Sequence, residues 1–297
     1  MSIRLNPDLL PDLLASIQQT EQNLNISTQQ LSTGQAVNQL SDNPGAAAQL
    51  VKNHNQASQD DQFLQNINSL QSRFQIADST LSNVVTALTR AISIGTEGAN
   101  GTLSPSDRQA IAQEVQGINS QLLNLANTSS QGTFLFSGTA VTTQPFTLDP
   151  ATNTVTYNGN TNVTSVQISN GNAIATNVPG SQLFQNAAGS AFGALQALNT
   201  ALLSGNNIGQ AVSQVQSALT QVSTQRVTYG NALSQINLSE SFLNQDKLNL
   251  SSQENSLIGV DPAKAASDLV QSQNANQAVL NATGRVLNLP TLLDFIK

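Results

Sequence analysis

The side chains that could do chemistry in this chain are few. It has one histidine, His54, and no cysteine, so a thiolate nucleophile, a disulfide and a thiolate-ligated zinc site are ruled out from the start. A lone imidazole without clustered carboxylates falls short of the four ligands a structural zinc takes. Asp60 and Asp61 adjoin in a stretch that reads as helix, where sequence neighbours point apart. That predicts two solvated carboxylates rather than an acid–base dyad. Gly95, Gly98 and Gly101 follow no strand, as a dinucleotide turn would require, and read as a loop between helices. No serine sits in a G-x-S-x-G elbow, and no G-x-x-x-x-G-K-[ST] phosphate loop occurs. No nucleophile, base and orienter can be assembled. The expectation is a non-enzyme with no catalytic residue, metal or cofactor.

The composition points elsewhere. Only 9% of the 297 residues are Asp, Glu, Lys or Arg, against roughly 25% in an ordinary soluble domain. Asn, Gln, Ser and Thr fill the gap. A polar, nearly uncharged surface suits a subunit packed against copies of itself, because amides and hydroxyls pair across a contact without desolvating ions. A net charge of −7 with no basic cluster argues against a nucleic-acid partner. No run approaches the length of a membrane span. Met1–Leu10 lacks the basic and apolar regions of a signal peptide, so export, if it occurs, is expected by another route.

Both ends read as helix. Leu10, Ile17, Leu24 and Leu31 recur every seven residues. From Ile67 the steps alternate three and four, through Leu70, Phe74, Ala77, Leu81, Val84, Leu88 and Ala91, which is the narrow seam of a coiled coil or slender bundle. Ile111, Val115, Ile118, Leu122 and Leu125 repeat the pattern in a third helix, where Ser104 can cap, Pro105 fits the first turn and Asp107 complements the dipole. A further seam, Val222, Tyr229, Ile236, Leu243, Leu250 and Leu257, alternates with Leu219, Arg226, Leu233, Glu240, Lys247 and Glu254. Half of it is polar, which fixes register at a cost in stability. This seam is expected to pair inside the chain with Ile67–Ala91. Gly259 and Pro262 then break the helix, and a last stretch runs from about Ala263 to Leu287.

Between Phe134 and Phe184 the period falls to two. Thr154–Tyr157, Val163–Ile168 and Ala173–Val178 are rich in β-branched residues, with Asn158-Gly159 and Asn170-Gly171 where tight hairpin turns would go. The expected fold is mainly α: a long antiparallel helical bundle or coiled coil from both chain ends, with a small inserted antiparallel β-domain. The expected division is residues 1–44 with 259–297 as a terminal helical domain, 45–140 with 184–258 as a helical rod, and 141–183 as the insertion.

Three segments resemble the bacterial flagellin superfamily. Leu31-Ser32-Thr33-Gly34, Val37-Asn38, Ser41-Asp42-Asn43-Pro44 and Ala46-Ala47-Ala48 are similar to its first helix–turn–helix. Leu103–Arg108, Leu122–Asn127 and Gly132–Thr139 resemble its hook-associated, junction-forming branch, as do Gln144-Pro145-Phe146, Val155–Gly159 and Val178-Pro179-Gly180. Arg226–Gly230 and the closing Leu292-Leu293-Asp294-Phe295 complete the likeness. Asn43 stands where an acidic residue is common, and Asn6, Pro7, Asp8 and Pro11 make a turn-rich start.

The resemblance implies an extracellular structural subunit in a ring between hook and filament. Its partners would be copies of itself, hook-associated protein 1, flagellin and an export chaperone, and it would leave the cell by the flagellar type III route without signal cleavage. Assembly contacts are expected at Leu24, Leu31, Leu269, Leu280, Leu287, Leu293 and Phe295. The intrachain seam is expected at Ile67, Phe74, Leu81, Leu88, Val222, Tyr229, Ile236, Leu243, Leu250 and Leu257. Flagellin itself, which shares the helical ends, is the alternative within this class. A surface-displayed adhesin is the alternative outside it, although the middle offers only Tyr157, Phe146 and Phe184 as candidate sugar-stacking aromatics.

Overall fold

The computed structural model describes residues 9–39, 41–186 and 189–287. Helices α1 (Leu9–Thr33), α2 (Pro44–Gly98) and α3 (Pro105–Ala126) come first. The short strands β1 (Ser129–Ser130), β2 (Thr133–Phe134), β3 (Phe146–Asp149), β4 (Thr154–Tyr157), β5 (Ser165–Ser169) and β6 (Asn172–Ala175) follow. A one-turn helix α4 (Gly180–Phe184) and strands β7 (Gln185–Asn186) and β8 (Gly189–Ser190) lead into α5 (Ala191–Ser204), α6 (Ile208–Ile258) and α7 (Pro262–Leu287). The chain is mainly helical, with long helices toward both ends and a small antiparallel β region between them, in agreement with the fold class read from the sequence.

Two compact units divide the chain: residues 1–58 with 246–297, and residues 59–245. In the first, α1 stops where Gly34 turns left-handed at φ +69°, a conformation that costs glycine nothing. The turn after α1 and the turn after α6 bind each other. Ala36 N donates to Ile258 O at 2.6 Å and Val260 N to Gly34 O at 3.1 Å. Asn43 caps α2 by accepting from Ala46 N at 3.1 Å, and Asp42 Oδ2 accepts from Asn38 N and Gln39 N. His54, exposed, lies 3.5 Å from Glu254.

The second unit holds the large core. Ser104 and Asp107 form a reciprocal capping box at the head of α3, with Pro105 in its first turn. Buried faces of α2, α3, α5 and α6 share one apolar cluster with Phe136, Phe146, Ile168, Ile174 and Phe184 from the middle of the chain. Phe184 packs edge-on against Phe136 and Phe146 at 5.8 and 5.3 Å. The inner side chains of the hairpins are therefore part of the helical core.

Three expectations need correction. The β3–β4 turn is not at Asn158-Gly159: β3 pairs Phe146 with Tyr157 and Asp149 with Thr154, so the chain reverses at Pro150–Asn153. Asp149 nucleates that turn by accepting from Ala151 N and Thr152 Oγ1, and Asn153 takes φ +54°. Asn170-Gly171 does turn β5 into β6, with Gly171 at φ +75°. Gly95 and Gly98 lie inside the last turns of α2 rather than in a loop. A Cβ on Gly98 would stand 2.2 Å from Leu202 Cδ2, and one on Gly95 would stand 2.9 Å from Val212 Cγ2, so these glycines allow close helix approach. Asp60 is buried at 1% exposure, while Asp61 is exposed.

Candidate assembly surface

Within the second unit, α2 and α6 run antiparallel and face each other. Phe74 meets Tyr229 edge-on at 5.3 Å. Arg226 forks onto Asp78, with Nε to Oδ1 at 2.8 Å and a terminal nitrogen to Oδ2 at 3.3 Å, and this hydrogen bond raises the guanidinium pKa above its ordinary value. Gln71 donates to Asn237 at 3.1 Å. Ile67, Phe74, Leu81, Leu88, Val222, Tyr229, Ile236 and Leu243 are all buried in the common core. Leu250 and Leu257 fall in the first unit and are half-buried. Burial pushes the Tyr229 hydroxyl pKa up to about 12, against a hydrogen bond from the Val178 backbone that acts in the opposite direction.

The α1–α7 pair is built differently. Ser27 and Ser272 share a hydrogen bond at 3.1 Å, and Asn276 reaches Thr20 at 3.5 Å, so the helices run antiparallel through polar layers. A polar groove of about 350 Å³ follows them, lined by Thr20, Asn23, Ser27, Asp268 and Ser272 among others. Leu24 and Leu269 are half-buried, whereas Leu31 and Leu280 are exposed. Leu287 ends α7, but its side chain lies outside the described residues, as do Leu293 and Phe295. Leu14, Ile26 and Val270 are also exposed, and the heptad reading missed them because they sit off its single stripe. The helix α5 was missed too. Its signal was there in Phe192, Leu195, Leu198 and Leu202, whose three- and four-residue steps mark one buried face. Among the described residues, no three His, Asp or Glu side chains converge as metal ligands, and no helix is long and apolar enough to cross a membrane. What this arrangement offers is apolar and amide surface on paired helices, suited to further helices packing on it.

Residues 11–141 match the bacterial flagellin N-terminal helical region, and residues 212–296 match the bacterial flagellin C-terminal helical region. A flagellar hook-associated protein 3 of Salmonella typhimurium is 29% identical over 277 residues, covering 84% of this chain and 86% of that protein. Flagellin B of Vibrio anguillarum is 32% identical over 108 residues, covering 36% of this chain and 28% of that protein. Among solved structures, a putative flagellar hook-associated protein from Vibrio parahaemolyticus aligns with a TM-score of 0.67 at 21% identity, covering 73% of this chain and 100% of that one. The flagellar junction protein FlgL from Legionella pneumophila aligns with a TM-score of 0.62 at 19% identity, covering 71% and 100%. At these identities the structural likeness speaks for the fold.

Proposed function

This chain belongs to the bacterial flagellin family, and on that premise we propose that it is a structural subunit joining the flagellar hook to the flagellin filament, of the hook-associated protein 3 kind. One observation carries the choice between junction subunit and filament subunit. The similarity to the hook-associated protein 3 of Salmonella typhimurium spans 84% of this chain, including much of the middle, whereas that to Flagellin B spans 36%.

As a flagellar component it assembles with copies of itself. The finer reading is a ring held by α1 and α7, with hook-associated protein 1 on one side and flagellin on the other. Its apolar side chains at Leu31 and Leu280 support that role, being exposed in the single chain. In this reading Leu24, Leu269, Leu287, Leu293 and Phe295 join them at subunit contacts. Export through the flagellar type III apparatus, with a chaperone on the C-terminal region, completes the proposal. The chain has no catalytic part in it.

The test is immunogold labelling of intact flagella with antibody against this chain. A single band at the hook–filament boundary is expected. Label along the whole filament would make it flagellin, and label on neither would end the junction reading.

A further inference from the structure

Two faces of the second unit point away from each other and share an unusual chemistry. On α6, Val227, Leu238 and Phe242 are 62%, 70% and 65% exposed. Their spacing sets them on one side of the helix, opposite the buried Tyr229, Ile236 and Leu243, in a stripe about 22 Å long. From Val227 to Gln245 the only ionisable groups are Tyr229, which is buried, and Glu240, which is half-buried on the seam side. On α2, the face turned away from α6 carries a shallow groove of about 450 Å³ lined by Ser72, Gln75, Ile76, Ser79 and Thr80, with Ile76 38% exposed. Between Gln62 and Thr89 the charged residues of α2 are Arg73 and Asp78, and Asp78 is held by Arg226 on the seam.

Solvent-facing helix surfaces ordinarily carry charge, whereas the cores of interfaces are depleted of it. Here an apolar ridge and a groove with Ile76 as its apolar side chain each lie in a field of amides and hydroxyls. In electrostatic terms they match: copies of a chain of net charge −7 approach through these faces without bringing like charges together. Because the faces differ and lie on opposite sides of one unit, joining them gives a heterologous contact. Repeated, such a contact builds a ring or a helix rather than a dimer.

We propose that neighbouring copies of this chain meet here, with the outer stripe of α6 on one copy seated on the outer face of α2 of the next. This contact rests on the junction reading above, and names the lateral interface of that ring. A helical face of this length offers on the order of a few hundred Å² per partner, below the roughly 800 Å² of a stable complex. The contact therefore adds to that made by the terminal helices and leaves the free chain monomeric.

The intrachain pairs Phe74–Tyr229 and Asp78–Arg226 place Ile76 level with the turn that holds Val227. Leu238 lies about 15 Å, and Phe242 about 21 Å, further along α6 from that level. Which of the three faces Ile76 of a neighbour therefore reports the axial offset between copies.

The native chain has no cysteine, so disulfide trapping is clean. I76C is combined in one chain with V227C, L238C or F242C, and each variant is checked for an unchanged thermal melt. Flagella carrying it are oxidised and run on denaturing gels without reductant. Opposite outer faces exclude an intrachain link, since a disulfide needs Cα atoms within about 7 Å. One pair is expected to give a ladder of dimers, trimers and longer species, with the corresponding single-cysteine chains staying monomeric. No ladder from any pair, while immunogold finds the variant at the boundary, overturns the contact and leaves the junction reading standing. Dimers from an α6 cysteine alone overturn it too, because α6 would then meet α6. Absence of the wild-type chain from the boundary sinks the junction reading and this contact with it.

Discussion

Asn127 and Phe146 are paired like two residues of a sheet, although one of them closes a helix. Asn127 Oδ1 accepts from Phe146 N at 2.9 Å, and Asn127 Nδ2 donates to Phe146 O at 2.8 Å. The side-chain amide thus stands in for a neighbouring strand and holds β3 against the end of α3. The Phe146 ring is thereby delivered into the aromatic cluster with Phe184 and Phe192.

Substituting that amide separates its two roles. Asn127→Ala strands the buried Phe146 N–H and is expected to cost about 1–3 kcal/mol in urea denaturation. Asn127→Asp keeps the acceptor for Phe146 N but turns a second carboxylate oxygen, another acceptor, toward Phe146 O, where the amide had donated at 2.8 Å. The aspartate variant should therefore lose stability although its acceptor is intact. Wild-type stability in the aspartate variant would mean that the bond to Phe146 O contributes nothing.

Leu243→Asp tests the α2–α6 seam. Leu243 is fully enclosed in the core, so removing its side chain forfeits about 1.5–3 kcal/mol and the buried carboxylate adds more. The helical circular dichroism signal of the second unit is expected to melt well below wild type. An unchanged melting curve would show that this seam is not buried in the free chain.

Alkaline titration reads Tyr229. Its folded pKa of about 12 lies above the ordinary 10.0 because burial disfavours the phenolate. A raised folded pKa means stability that is complete below pH 10 and lost as pH climbs from about 10 to 12. The difference is worth about 3 kcal/mol. Tyr229→Phe, which keeps the ring against Phe74, should flatten this part of the pH–stability curve. A curve of the same slope in both proteins would place the loss elsewhere.

Much of this architecture was legible because a heptad repeats its signal many times. Ile67 to Ala91 shows one face eight times over, and Ser104-Pro105 with Asp107 announces a helix start within four residues. The misreadings fall where the deciding partner is remote. Gly95 and Gly98 resemble loop glycines until Leu198 and Leu202 arrive from α5 to need the space. Asn158-Gly159 carries strong turn chemistry, but Asn158 N is taken by Pro145 O and its side chain by Thr147, so the reversal falls to Asp149–Asn153. The burial of Asp60 had no local signal. The proposed assembly residues were the least readable, since a stripe that packs only against another copy would look like a weak stripe.

Limited proteolysis of the monomer addresses that waiting stripe. The α1–α7 pair meets through Ser27, Ser272, Thr20 and Asn276, and ordering costs about 1–2 kcal/mol of backbone entropy per residue. Cuts within α1 and α7 are expected, leaving a core spanning about residues 45 to 258. Resistance of both helices in a monomer verified by light scattering would show that they need no assembly to be stable.

Replacing residues 141–183, expected from the sequence to be an inserted β-domain, with a Gly/Ser linker gives a split expectation. The helical seams lie outside it, so filaments should still form on the hook. Phe146, Ile168 and Ile174 leave the core with it, so the second unit should melt earlier. Absence of filaments at every linker length would make the segment part of the polymer contact.

The hydrogen bond from Ala36 N to Ile258 O also works as a clock. Its two ends are about 220 residues apart, and at roughly 5–20 residues per second a ribosome needs about 10–45 s to deliver the second after the first. Until then the opening turn of the chain has no partner, and the first unit cannot close on itself. Local helices can form meanwhile, but the turns at Ala36 and Ile258 join only after both have been made. Any machinery that must receive this polypeptide still threadable has that interval in which to take hold of it.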